Sequence, residues 1–252
     1  MAPLATAKAN FDDAILRASA LVAHAATVGD AGLRDDLLRG GWMMAAGGAD
    51  AFFCDAYADL LSRTLRAKEV QASLRLTDAI KAVRLPISTL VGQSNGWRWR
   101  MAARQLIEKE SVLSLKDIKS SLHKFCRSAN ALLIEGNVEP WFVHAESTKR
   151  VMGVTRANYL AANVGDKKRA RESSLKHIER RVDAIFQRRH DCIHCCDRPK
   201  TALQPINAAE TEHAISDLRF VVSRCYGHLV PEFQEFLRAM GATGVTRNNV
   251  SS

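Results

Sequence analysis

The segment Phe186 to Lys200, FQRRHDCIHCCDRPK, places Arg189, His190 and His194 within six residues. Imidazole can accept a proton from a ribose hydroxyl and return one to a leaving oxygen near neutral pH. A guanidinium adds a permanently charged fork that fits phosphate oxygens. Together the three side chains form a set able to cleave a phosphodiester without a metal. His190 and His194 are four residues apart, so on a helix they share a face. By itself this spacing is common in helices and specifies little.

The same segment offers a zinc reading through His190, Cys192, His194 and Cys195. All four would lie on about one and a half turns of one helix, whereas a tetrahedral structural site usually draws ligands from two segments. The expectation is therefore no metal and no cofactor. A cysteine-protease reading fares worse, because nothing orients a particular Cys–His pair.

The helix that must carry these groups has an apolar stripe of Leu175, Ile178, Val182, Ile185, Ile193 and Cys196. That spacing puts Arg189 in the stripe, where a lone buried charge is costly. It requires an acidic partner, a phosphate or a wet interface, unless the stripe ends there. Asp50 is the internal candidate, since it too adjoins an apolar run. A structural Arg189–Asp50 pair and a catalytic one both remain open at this point.

Periodicity predicts a first helix over about 10–28, with Ile15, Leu16, Ser19, Val22 and Ala26 on one face. A second covers 33–70, with Trp42, Ala46, Ala49, Phe53, Ala56, Leu60 and Thr64 repeating every three or four residues. The stretch 85–165 is less regular, with Gly92, a turn at Ser94 to Gly96 and another before Pro140. It holds two predicted helices, 97–109 and 115–127, the latter opened by Ser114 as N-cap. A long helix over 167–196 follows, then breaks at Pro199 and Pro205. Asn207 and Glu210 suggest a capping pattern for a last helix over 207–228, with Pro231 starting a short tail helix and VTRNNVSS fraying. The chain reads as all-α, a single domain over 1–252 with 85–165 as an insertion packed on the core.

Composition agrees. Of the 252 residues 47% are hydrophobic but only 6% aromatic, with alanine and leucine abundant, as in packed helices. A net charge of +9 favours an anionic partner such as nucleic acid. Six cysteines without a small-domain framework suit a reducing cytoplasm. No basic segment leads into an apolar run at the N-terminus, and the apolar stretch at 40–49 is too short to span a bilayer, so a soluble cytoplasmic protein is expected.

Arg189-His190-Asp191-Cys192-Ile193-His194 resembles the R-x4-H motif of HEPN ribonucleases. Asp197-Arg198-Pro199 is similar to the residues that follow that histidine in the RiboL-PSP-type branch, and MAAGGADAFFCDAYADLL resembles its second helix, with Asp50-Ala51-Phe52 in the matching place. The resemblance covers about 11–70 and 167–229, leaving out the middle third. Cys192 departs from it, standing where an aliphatic residue is common, and so do the two cysteines after His194. The resemblance implies a helical bundle that forms a homodimer, with two Arg–His sets lining one RNA cleft. It makes His194 the general acid or base, Arg189 the phosphate holder and His190 a polar auxiliary, with Asp50 beside them. The implied activity is endoribonuclease cleavage of single-stranded RNA, in a toxin or defence effector with an antitoxin or defence-system partner. The alternative is a HEPN dimer that binds RNA or protein without cutting.

Two basic stretches could follow an RNA backbone: Lys167, Lys168, Arg169 and Arg171 at the start of the motif helix, and Trp97-Arg98-Trp99-Arg100. For the second, core tryptophans with solvated charges are the simpler expectation. The first would lie about 27 Å from Arg189 on an unbroken helix, holding a strand rather than touching the reaction.

Overall fold

A computed structural model describes residues 2–91, 97–109, 114–142, 145–198 and 202–251, and within them the chain is helical with no strand. The turn expected at Ser94 to Gly96, with Gly92 and Pro199, lies outside the described residues. Four long helices dominate: α1 (Ala5–Ala25) and α2 (Ala31–Val70) from the first third, then α10 (Val164–Cys195) and α11 (Ala208–Ala239) from the last. Among these, α2 is the centre, since α1, α10 and α11 all pack on it.

The first helix starts earlier than its apolar pattern suggests. Leu4 is buried, and its N–H donates to Asp59 Oδ2 of α2 at 2.9 Å, which anchors the helix start. The buried face is Ala7, Phe11, Ile15, Ala18, Val22 and Ala25, while Leu16 is 64% exposed. The expected face is thus rotated. Small residues decide it: a Cβ on Gly48 would sit 2.7 Å from Ala14 Cβ, so the α1 and α2 backbones approach closely there. Gly48→Ala is expected to lower stability, since overpacking costs about 1–3 kcal/mol against at most about 1 kcal/mol of helix propensity gained. Thermal unfolding checks this, and an unchanged or raised Tm would show that α1 can move aside freely.

On α2 every residue of the predicted stripe is buried, and Asp30 caps the helix by accepting from Leu33 N–H at 2.7 Å. The stretch 85–165 contributes α4 (Ile87–Val91), α5 (Trp97–Lys109), α6 (Leu115–Leu122), α7 (Glu135–Val138), α8 (Ala145–Met152) and α9 (Arg156–Ala161), after a short α3 (Asp78–Lys81). Its pieces divide: α5 packs on α2, whereas α6 to α9 contact α10. Ser114 caps α6 as expected, but the helix ends at Leu122 and tightens into a 3-10 turn at His123–Phe125. The expected turn before Pro140 instead forms α7. Ile107, Ile118, Phe125, Leu132 and Trp141 join the same apolar core as α1, α2 and α11.

The last third departs most from the pattern. Asn207 caps α11 by accepting from Glu210 N–H at 2.9 Å, yet the helix runs on through Pro231 to Ala239. A proline inside a helix costs about 3 kcal/mol. Burial of Leu229, Phe233, Phe236 and Leu237 along one face offsets that cost, and Glu232 is held by Arg127 N, Nε and Nη2 at 2.8, 2.9 and 2.7 Å. The tail expected to fray forms α12 (Gly244–Ser251), with Val250 buried and Thr246 Oγ1 donating to Gln71 Oε1 at 2.9 Å. Among the described residues no helix is long and apolar enough to cross a membrane.

Candidate functional site

The apolar stripe of α10 is buried at Ile178, Val182, Ile185 and Phe186 and then stops, for Ile193 is 51% exposed and Cys196 is on the surface. Arg189 stands where the stripe runs out, at the join of α10 and α2. Its Nη2 lies 3.3 Å from Asp50 Oδ2, both side chains about four-fifths buried. Gly47, one turn before Asp50, faces Arg189: a Cβ there would lie 3.8 Å from Nε, so a larger side chain would crowd the guanidinium. The pairing inferred from burial cost is therefore present.

Burial pushes the Asp50 carboxyl above its ordinary value, and the Arg189 charge and the Cys54 thiol, 3.8 Å away, pull it back. His190 and His194 follow on the next turn, half-buried and exposed respectively, with ring centroids 4.4 Å apart. Arg189, Asp50, His190 and His194 thus gather at one end of α10, next to the exposed Ile193.

Sequence reasoning missed what fixes that end of the helix. Asp197 is fully buried, and its Oδ2 accepts from Arg39 Nε at 2.8 Å and Arg188 Nη2 at 3.0 Å. Arg39 also donates to Gln204 O at 3.0 Å and Arg188 to Pro205 O at 2.9 Å, so the clamp ties α2, α10 and the segment leading to α11. Arg188 lies over the Trp42 ring at 5.1 Å, and Trp42 Nε1 donates to Ile185 O at 3.1 Å. Cys196 and Asp197 have φ of 48° and 58°, and both of their N–H groups donate to Asp191 O, ending α10 in a left-handed cap. Two successive left-handed non-glycine residues are strained, and the buried clamp holds them there. The signal available in the sequence was an aspartate just past a helix end, which is also what a solvated surface aspartate looks like.

The zinc alternative finds no support in the geometry. Among the described residues no three His, Cys, Asp or Glu side chains gather where a metal ion could be held. Burial, with Asp197 nearby, pushes the Cys192 thiol up to about 11, which keeps it protonated at neutral pH and a poor ligand or nucleophile.

The basic run at the other end of α10 is partly committed to the protein. Arg171 donates to Tyr159 Oη at 3.0 Å and pairs with Glu135 at 3.2 Å, packing α10 against α7 and α9. Arg169 pairs with Asp166, Lys168 lies 4.0 Å from Glu172, and Lys167 sits 5.9 Å over the Tyr159 ring. Of the second stretch, Trp97 is 59% exposed rather than in the core, whereas Trp99 is half-buried and donates to Glu69 Oε2 at 3.1 Å. Arg98 also pairs with Glu69. These side chains lock α5 onto the end of α2.

The fold and site together describe an all-α protein with an arginine–carboxylate pair and two histidines at the open end of a long helix. Compared with protein-family models, curated proteins and solved structures, the chain finds no match.

Proposed function

We propose that this chain is a metal-independent HEPN-type endoribonuclease that acts as a homodimer on single-stranded RNA, as a toxin or defence effector. The observation that carries the reading is the Arg189–Asp50 pair, its arginine on the same last turns of α10 as the adjoining His190 and His194 rings. A second copy seated on this end of α10 would cover the exposed Ile193 and bring a second set of the same groups opposite the first. Two sets would supply both a base and an acid.

In that cleft an imidazole, His194 of one copy, takes the proton from a ribose 2′-hydroxyl. The 2′-oxygen bonds to the adjacent phosphorus, the P–O5′ bond breaks, and a protonated imidazole of the opposite set returns a proton to the 5′-oxygen. The products are a 2′,3′-cyclic phosphate and a 5′-hydroxyl. Arg189 holds the non-bridging phosphate oxygens as negative charge builds on them. Asp50 keeps that guanidinium aimed, and His190 assists by hydrogen bonding.

Because this set moves protons and stabilises charge unaided, cleavage is expected to survive excess EDTA, and purified protein should carry no stoichiometric zinc. Elemental analysis and an RNA digest in chelator check both points. Loss of cutting in chelator would end the metal-independent reading, and one tightly held zinc per chain would favour the His190/Cys192/His194/Cys195 site. The alternative, a HEPN dimer that binds RNA or protein without cutting, gains from the fact that Arg189 already has its carboxylate partner. Retained binding with no cleavage in the same digest would select it.

Lys167, Lys168 and Arg169 are the side chains of the basic run that a passing strand could recruit, since Lys168 and Arg169 make only exposed contacts and Lys167 makes no ion pair among the described residues. Replacing these three with glutamine is expected to weaken RNA binding equally for unrelated sequences. It should also flatten the log–log salt dependence by about two units, at roughly 0.7 per phosphate on a single strand. A salt titration with an unaltered slope would remove the run from the RNA path.

A further inference from the structure

A cavity of about 410 Å³ is lined by Trp42, Arg150, Arg181, Arg188, Glu210 and His213. Its volume lies within the roughly 300–1,000 Å³ of small-molecule sites. Four helices contribute to its walls: α2, α8, α10 and α11. Three guanidiniums in one concavity are costly unless they are paired or meet an anion.

The pairing is incomplete. Asp217 on α11 is buried, and it serves two arginines, accepting from Arg150 Nε at 3.0 Å and Arg181 Nε at 2.8 Å. Arg150 spends Nη2 on Ser216 Oγ at 2.7 Å. Among the described residues nothing accepts a hydrogen bond from the Nη atoms of Arg181, although its side chain is only 28% exposed. Asp197 is likewise shared, between Arg188 and Arg39, although Arg39 also pairs with the exposed Asp36 at 3.3 Å. Asp217 is thus outnumbered by the guanidiniums it serves, and the Nη atoms of Arg181 are left at the cavity wall. The first turns of α11, which carry Glu210 and His213, add the positive end of a helix dipole.

We propose that this cavity binds a nucleoside monophosphate, either free or as the 5′-terminal residue of an RNA strand. Guanidiniums fixed by a carboxylate behind them form a fork for a phosphate monoester. The cavity is larger than a phosphoryl group needs. The exposed Glu210 carboxylate at its edge accepts from sugar hydroxyls or an exocyclic amine, and repels a second phosphate. His213 supplies a ring for a base edge or face. The free-nucleotide form stands whether or not the protein cuts RNA, whereas the strand-end form rests on the ribonuclease reading.

Calorimetric titration with adenosine 5′-monophosphate, adenosine, inorganic phosphate and a hexanucleotide RNA with or without a 5′-phosphate tests this, using His194→Ala protein for the RNA arms so that the strand stays whole. Saturable binding of the monophosphate but not of adenosine is expected. Arg181→Gln, which leaves Arg150 on Asp217, should weaken it about ten-fold or more, the loss of one charge-assisted hydrogen bond. Glu210→Gln, an exposed change that serves even if Arg181→Gln unfolds, should tighten it. Preference for the 5′-phosphorylated strand over adenosine 5′-monophosphate identifies the strand end, and the reverse identifies the free nucleotide. Absence of saturable monophosphate binding, or an affinity unmoved by Glu210→Gln, would overturn the proposal independently of any result on RNA cleavage.

Discussion

His194→Ala is expected to lower RNA cleavage by about 10²–10⁴, the usual contribution of a positioned general acid or base, while leaving a folded protein. Its side chain is exposed, and no described residue hydrogen-bonds it, so the fold loses little when the ring is removed. Surface changes of that kind usually stay within about 0.5 kcal/mol. Arg189→Ala should abolish cleavage as well, through loss of the phosphate fork. It also leaves Asp50 without its cation; burial already pushes that carboxyl up, and loss of the opposing guanidinium pushes it the same way. Arg189→Lys separates the two roles of this position. A lysine can keep a positive charge near Asp50 but cannot present two parallel donors to phosphate, so folding should persist while cleavage falls. Circular dichroism and a single-turnover digest of mixed RNAs measure all three variants. Wild-type-like cutting by His194→Ala would sink the catalytic assignment.

Asp197→Ala is expected to be the most destabilising single change at this end of the molecule. It strips two arginines of one shared carboxylate, and Arg39 is only 9% exposed. Removing one partner of a buried ion pair costs about 3–5 kcal/mol, because the charge left behind has no compensation. Alanine also tolerates the left-handed backbone at φ 58° poorly. Asp197→Asn keeps an acceptor oxygen and a residue that tolerates this conformation, so its smaller loss isolates the charge from the backbone. Urea unfolding with a constant m-value reads the difference. An Asp197→Ala midpoint equal to that of the wild type would mean the clamp contributes nothing. Since the clamp sets the last turn of α10, the same variant should also loosen the His194 position.

Much of this architecture was legible because helices announce themselves by period. The stripe of α2 from Trp42 to Thr64 was readable residue by residue, since a central helix needs apolar groups wherever it touches a neighbour. The caps Ser114 and Asn207 were readable because an N-cap acts within three residues of itself. Arg189 and Asp50 could be matched across 139 positions by a single argument, the cost of burying an arginine alone. The buried face of α1 was misread for the opposite reason. It follows the approach of Ala14 to Gly48, a fact about two helices at once, and leaves the more hydrophobic Leu16 in water.

The sequence by itself determined that the chain is all-α, where α2, α5, α6, α10 and α11 begin, and that Arg189 needed a carboxylate, since these depend on local hydrogen bonding, helical period and the desolvation of charge. Tertiary structure alone decided that α11 passes through Pro231, because the burial of Leu229, Phe233 and Phe236 outweighs a lost backbone hydrogen bond. It alone decided that Asp197 is buried, because that needs Arg39, Arg188 and the carbonyls of Gln204 and Pro205 to converge from separate segments. It alone gathered Arg150, Arg181 and Arg188 around one cavity, for nearness in space cannot be read from charges spaced along a chain.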